Sequence, residues 1–597
     1  MRFFFIGALV FSSWAFAQEG SDEYRTVIRT DSFSTASKVV IDEKTIRESK
    51  APNIPALLAS QANISIVNSN FQPSSIFIRG GDSSHVLILV DGLPAYDPTT
   101  TQRTLNLSNI DITTVRRIEV IKGSQSVLYG GQALTGVIKI ETFPTQVADQ
   151  AAGQAEAGQR EYRKAAVFGM KALDESQGVL ARASMTEKNN HSPLKESDFT
   201  YHSKLLNGDV GYLRKSDFDF FLKLNGFDDY SEQATGYGDV VLDTKHFEAR
   251  NQFWNLTGGV LAPQVPLKPS LLASYQQGVR KFEQTQPWGD VNSRYQSELL
   301  NVRLETFPVD REQDQLRFGA SHTKENFSEL ENGQEISNQF QYSSGVFAKY
   351  DRELAESLSA EGGLRSDFVY GRDRVDSYQL GMTVFKDWRF EYATGFKVPS
   401  LFQLYSENYG SNKDLKAETS RTLTLTYSHT VSERQNFSIS VFETSFSNLI
   451  VFVGAPATGR YENVQEARSR GAEAVYAYRT EDNLKLDLSF GYQEPRNITT
   501  GEWLLKRSLV SGGARLLKEW ERDSAGFELI GNGVRFDSRT YDRLPGYMTT
   551  NLFYNHDFIE HVSGYIRGNN VFDQRYQQSK NYFDEGAFWF VGMEFRN

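Results

Sequence analysis

The sequence predicts a large all-β membrane barrel of about 22 antiparallel strands, preceded by a smaller α+β domain. Three observations carry that prediction. From about Thr145 to Asn597 the chain is a succession of short segments that alternate apolar and polar residues between polar breaks, as strands with one apolar face do. No segment beyond the extreme N-terminus approaches the roughly 20 apolar residues that a spanning helix needs, so a membrane protein built this way has to cross with a closed sheet. The stretch from Asp149 to Asn597 also allows roughly 20 residues per strand and connection at about 22 strands.

Composition narrows the function classes. The 597 residues carry a formal net charge of -11, against the basic footprint of a nucleic-acid binder. There is no cysteine, so disulfides and thiolate chemistry are excluded. Phe and Tyr number 42 and 28, enough to supply aromatic girdles at membrane interfaces. A soluble propeller or a secreted array of β-sandwiches would also give many short alternating strands. The chain has no WD- or kelch-like repeat, and its long polar stretches alternate with very short turns, which suits a membrane barrel better.

The elements follow in chain order. Arg2, the apolar run Phe3 to Trp14 and Ala15-Phe16-Ala17 have the three parts of a signal peptide. Residues 1–17 are expected to be removed after Ala17, leaving Gln18 first. Residues 18–37 form a polar tail that contains the β-prone patch Tyr24 to Thr30. Val39-Val40-Ile41 reads as a strand. Asp42 is a candidate N-cap for a short helix, with Thr45 supplying no capping-box carboxylate. Pro52 to Ala62 reads as a second short helix with Ile54, Leu57 and Leu58 on one side, and Ile64 and Ile66 alternate with polar neighbours.

Four apolar runs follow, Ile76–Ile78, Val86–Val90, Ile118–Ile121 and Val137–Ile140. They are too short for helices and rich in Ile, Val and Leu, so they are expected to be strands. Gly80-Gly81, Asp91-Gly92, Gly123 and Gly130-Gly131 divide them. In the barrel region, Phe218, Phe220, Leu222 and Leu224 share one face of a strand opposite Asp219, Lys223 and Asn225. Thr422 to Tyr427, Phe437 to Phe442 and Phe588 to Phe595 alternate in the same way.

No catalytic motif stands out. HExxH, GxxxxGK[ST] and GxSxG are all absent. Ser84, His85 and Asp91 lie on and beside one strand, where the spacing does not assemble a triad. His191, His202 and His246 read as solvated loop residues.

The stretch from Ser74 to Thr142 carries a family resemblance. Ser75-Ile76-Phe77-Ile78-Arg79-Gly80, Ser84-His85-Val86-Leu87, Val90-Asp91-Gly92, Arg117 to Gly123, Ser126-Val127-Leu128-Tyr129-Gly130 and Gly136-Val137-Ile138 resemble the plug domain of TonB-dependent outer-membrane receptors, most closely the cobalamin receptors among them. Ser124 and Thr135 stand where the family usually has Pro and Gly. Phe396-Lys397-Val398-Pro399-Ser400, Leu415-Lys416-Ala417-Glu418, Phe446 to Ile450, Tyr461-Glu462-Asn463, Arg470-Gly471 with Glu473, and Asn569 to Asp573 resemble the family's barrel signatures.

The resemblance implies an organisation: a signal peptide (1–17), a periplasmic tail with a TonB box (18–37), a plug domain (38–147) lodged in the lumen, and a transmembrane β-barrel (148–597). It implies a monomeric outer-membrane receptor that imports a corrinoid such as vitamin B12, with a ferric siderophore as the alternative cargo. TonB, working with the inner-membrane ExbB/ExbD complex, would take Glu23, Tyr24, Arg25, Thr26, Val27, Ile28, Arg29 and Thr30 as its box, adding them to its own sheet edge. Arg79 and Lys122 of the plug would face Glu418 and Glu473 of the wall. Ligand contacts would include Asn68, Asn70, Gln72, Tyr96, Asp97 and Gln102 of the plug apex. Asp198, Asp228, Asp229, Asp239 and Asp243 would lie in adjacent outer loops and could hold calcium, a hard ion suited to carboxylates. No other cofactor is expected.

Overall fold

The computed structural model describes residues 37–67, 74–194, 197–237, 240–242, 247–286, 289–311, 313–407, 409–454, 458–537 and 541–597. The patch Glu23 to Thr30, and Asn68, Asn70, Gln72, Asp239, Asp243 and His246, lie outside them.

The N-terminal domain has strands β1 (Lys38–Asp42), β2 (Ile64–Val67), β3 (Ser75–Ile78), β4 (Val86–Val90), β5 (Leu93–Pro94), β6 (Arg117–Lys122) and β7 (Gly136–Glu141), with helices α1 (Glu43–Ser49), α2 (Ile54–Leu58) and α3 (Ser126–Tyr129). Its main sheet runs β1-β6-β7-β4-β5, and β2 pairs with β3 apart from it. Only β4 and β7 pair in parallel. Asp91 and Gly92 join β4 to β5 with φ of 49° and 87°, the left-handed pair that a two-residue hairpin turn needs. Ile54, Leu58, Ile64, Ile78, Ile118, Val120 and Ile138 build one core between sheet and helices.

Local chemistry sets the helices. The Asp42 carboxylate accepts from Thr45 N at 2.8 Å and caps α1. Asn53 caps α2 in the same way, from Ala56 N at 2.9 Å. α2 stops at Leu58, well short of the Pro52 to Ala62 helix expected, although Ile54, Leu57 and Leu58 are buried together. β2 also departs from its expected alternation, because all four residues are buried. Its second face meets the barrel: Ser508 N donates to Ser65 Oγ at 3.3 Å.

The remaining chain closes a barrel of 22 antiparallel strands, from Gln150–Gly158 to Phe588–Arg596. The last strand pairs with the first, Gly592 opposite Glu156. One end has short turns such as 356–357, 433–434 and 560–561. The other has long connections, 398–417 with helix α4 (Leu401–Tyr405), and 533–546 and 570–587 with small hairpins of their own. Outer-membrane barrels carry short periplasmic turns and longer outer loops. The strand faces sort as expected: Leu423 is 58% exposed while Thr422 and Thr424 beside it are 3% and 9% exposed. Leu222, Leu224, Val441, Trp589, Val591 and Met593 join the outer apolar surface. Phe442 breaks the alternation from within, buried on the lumen side.

Wall groups from all round the barrel bond to the N-terminal domain. Arg303 donates to Leu128 O at 2.9 Å, Ser124 Oγ to Thr394 O at 2.7 Å, Lys50 pairs with Glu594 at 2.8 Å, and Lys223 pairs with Asp91. The domain therefore fills the lumen as a plug. His191 and His202 are not loop residues; they sit on the strands Gln177–His191 and Thr200–Arg214, which extend to the long-loop end.

Candidate functional site

The seat of the plug begins at a strained turn. β3 ends at Ile78, and Arg79 and Gly80 both take positive φ, 49° and 76°. A Cβ on Gly80 would stand 2.3 Å from Ser469 Oγ and 2.9 Å from Pro495 Cβ of the wall, so only glycine lets the plug come this close. The turn aims Arg79 into the wall. Its Nε and Nη2 donate to Glu473 Oε1 and Oε2 at 3.1 and 2.8 Å. Nη1 donates to Thr424 Oγ1 at 3.3 Å, and the guanidinium stands 4.6 Å from the centre of the Phe442 ring. Lys122, at the end of β6, donates to Ala62 O at 2.7 Å and lies 3.4 Å from Glu473 Oε1. None of these three charged side chains reaches solvent. Burial and the neighbouring Arg79 push the Lys122 amine down to about 8 against the pull of Glu473.

Glu418 does not join this cluster, contrary to the expectation that Arg79 and Lys122 would face it. It pairs with Lys397 at 2.7 Å and with His85 Nε2 at 3.5 Å. Its other oxygen accepts from Ile450 N at 2.9 Å. The backbone N–H of Asp82 donates to His85 Nδ1 at 3.0 Å, which leaves the ring proton on Nε2, facing Glu418. The wall thus offers two buried carboxylates, Glu473 to the ends of β3 and β6 and Glu418 to His85 just before β4.

Three more plug–wall pairs add to the seat, beside Lys223–Asp91 and Lys50–Glu594. Arg103 makes a two-point pair with Glu325, through Nε at 3.0 Å and Nη2. Arg507 donates to Asp82 at 2.8 Å. Burial alone would raise the Asp82 carboxyl, and the Arg507 guanidinium outweighs it, holding it well below the usual carboxylate range. Lys164 meets Asp111 at 3.1 Å. Sequence reasoning missed these pairs, since nothing local marks partners that lie far apart in the chain.

Above the plug and to one side lies a cavity of about 460 Å³, lined among others by Asp97, Lys188, Arg280, Tyr547, Tyr576 and Asp584. Of the expected ligand residues, Asp97 lines it. Tyr96 is buried behind it, its carbonyl accepting from Gln276 at 2.8 Å. Gln102 accepts from Ser83. Asp584 is pushed up to about 6 by burial and by Glu585, against hydrogen bonds from Tyr576 and Gly586 N.

The described members of the acidic set, Asp198, Asp228 and Asp229, do not converge. Asp228 and Asp229 lie on the strand Asp219–Glu232, not in a loop. Asp228 is paired with Arg250 at 2.5 Å, whereas Asp229 accepts from Asn251 at 3.2 Å and from Asn109 at 3.3 Å. Adjacent strand residues point to opposite faces, so these two carboxylates cannot share a calcium ion. Asp198 lies in the separate connection 192–199. Among the described residues no group of three or more His, Asp or Glu is placed to hold a metal.

Comparisons with known proteins agree on the architecture. The sequence model described as TonB-dependent Receptor Plug Domain matches residues 31–137, and that described as TonB dependent receptor-like, beta-barrel, matches 174–571. The vitamin B12 transporter BtuB of Vibrio vulnificus is 24% identical over 568 residues, covering 88% of this chain and 86% of that protein. Among solved structures, the copper transporter OprC superposes with a TM-score of 0.81 at 16% identity, covering 94% of this chain and 98% of its own. The ferric enterobactin receptor PfeA of Pseudomonas aeruginosa superposes at 0.79 and 15%, covering 95% and 100%.

Proposed function

The chain belongs to the TonB-dependent receptors, and we propose that its cargo is a corrinoid of the vitamin B12 type, imported across the outer membrane. The importer reading rests above all on a lumen filled by a folded domain seated on buried ion pairs. Passive diffusion through an open pore has no use for such a domain. The corrinoid is supported by the resemblance to a vitamin B12 transporter over most of the chain.

In this reading the outer cavity and the long loops capture the ligand, and TonB, driven by ExbB/ExbD, pulls on the box at Glu23 to Thr30. The receptor works as a monomer. The plug supplies the response: its ion pairs with the wall hold it at rest and can separate and re-form under load. Breaking one partner of a buried pair costs roughly 3–5 kcal/mol, so the seat is stable without force.

A ferric-siderophore receptor is the second reading. Lys188, Lys204 and Arg280 line the outer cavity beside Tyr547 and Tyr576, among carboxylates that include Asp97 and Asp584, and these cations and rings are groups that could hold an anionic ferric chelate. Equilibrium binding of cyanocobalamin to the purified receptor tests the first reading. Growth of a deletion strain on limiting cobalamin, compared with limiting iron, separates the two.

A further inference from the structure

The plug is not held evenly round the barrel. Towards the strands Trp388–Lys397 to Leu484–Asn497 the seam is closed. Gln132 N donates to Phe396 O at 2.9 Å, Ser124 Oγ to Thr394 O at 2.7 Å, and Arg79 and Lys122 share Glu473. About half-way round the circle of strands, the plug segment 105–116 stands off from the first strands of the wall. Two cavities occupy that side. One is the outer cavity of about 460 Å³. The other, of about 200 Å³, reaches Lys50, Glu594 and Arg596 at the short-turn end.

The two cavities adjoin, sharing Asn109, Ile110, Asp111, Ile112, Asn207 and Phe227 as lining. A third gap of about 80 Å³, near Tyr96 and Tyr129, has no lining residue in common with either. At the junction the Asp111 carboxylate meets Lys164 at 3.1 Å, both side chains almost wholly buried. Thr113 N holds Asp111 Oδ1 at 3.0 Å, and Asp111 Oδ2 has no hydrogen-bond partner among the described residues. Asn109 adds a single bond to Asp229 at 3.3 Å.

We infer that the imported molecule crosses the lumen along the plug face 105–116, between the plug and the first strands of the wall, and that the Asp111–Lys164 pair closes this route at rest. The inference rests on the importer reading above. At the junction of the two cavities only one ion pair and one amide bond bridge plug and wall, with Lys223–Asp91, Lys50–Glu594 and Glu43–Arg596 lying further along this side, whereas on the opposite side the shared Glu473 cluster and the Gln132–Phe396 main-chain bond lie together. The chain also links this face to the tail. β1, which follows the tail, is paired with β6, and α1 comes next. Glu43 and Arg47 of α1 and Lys50 just after it line the inner cavity, and Glu43 accepts from Arg116 at 3.0 Å. A pull on the tail therefore acts through α1 on the segment that carries Asp111.

The test uses a thiol, because the chain has no cysteine of its own. Asn225 lines the inner cavity and not the outer one, four residues nearer the short-turn end of its strand than Asp229. N225C in the full receptor is exposed on intact cells to a membrane-impermeant maleimide, and labelling is normalised to heat-modifiable barrel in the outer membrane. The expected result is a several-fold rise in labelling rate when D111S/K164S is added, a smaller rise with K164A alone, and no rise with R507A, which breaks a plug–wall pair away from the route. Unchanged labelling in D111S/K164S and K164A overturns the proposal. So does an equal rise with R507A, because the plug would then leave as one body. Failure of cyanocobalamin to bind would refute the corrinoid reading and leave this labelling result standing, so the two failures are distinguishable.

Discussion

Arg79 of the plug and Glu473 of the wall meet at two points, 3.1 and 2.8 Å, with neither side chain reaching solvent. A two-point guanidinium–carboxylate pair fixes orientation as well as distance. Glu473→Ala strands two buried cations at once and should weaken the plug's seat by roughly 3–5 kcal/mol. In urea, plug release, followed as single-barrel conductance in a planar bilayer, should shift to lower denaturant by about 1–3 M. Replacing both partners, R79M/E473M, should recover part of the loss, since an apolar pair removes the orphan charge at Arg79.

Glu418→Ala tests the second carboxylate. It leaves Lys397 without its counterion and Ile450 N without its acceptor. The leak current through the unliganded receptor should rise, by less than in Glu473→Ala, because the stranded Lys397 belongs to the wall and the plug loses only its His85 contact. An unchanged current would mean that the Glu473 cluster holds the plug without help.

The apolar part of the barrel's outer face should resist an added charge, even where, as at Leu423, an outward Glu443 stands opposite. Leu423 points outward on the strand Glu418–Ser432, and Leu423→Arg should cost about 2–4 kcal/mol if it sits at mid-membrane, less towards an interface. Folding titrations into lipid vesicles measure this directly.

The loop that carries Asp584 should respond to mild acid. Its carboxyl is pushed up to about 6 in the folded protein, against about 3.9 unfolded. The folded state therefore binds more protons in that window, and stability falls as pH rises from about 4 through about 6. Protease resistance of the 570–587 connection should be greater at pH 4.5 than at pH 7, and D584N should remove the difference.

Residues such as Leu423 with Thr422 and Thr424 explain why the barrel was legible in the sequence. A period of two, repeated along the chain, needs no tertiary knowledge to read. The plug strands were legible because Ile, Val and Leu runs are cut by glycines at the turns. Arg79 and Glu473 came from the resemblance, since the partners lie 394 residues apart. Asp82 with Arg507 and Asp111 with Lys164 could not be read at all: their pairing is created by the order of strands round the barrel. Asp228 and Asp229 misled because they were read as loop residues. Once they are placed on a strand, the same period of two separates them. Glu418 came from the same resemblance, but Lys397 and His85 claim it instead.

The central claim is tested most directly by uptake of labelled cyanocobalamin into cells carrying this receptor, with and without functional TonB. The account predicts saturable uptake that disappears when TonB is removed, with surface binding retained. Uptake that persists without TonB, or a receptor that neither binds nor imports the corrinoid, would contradict it.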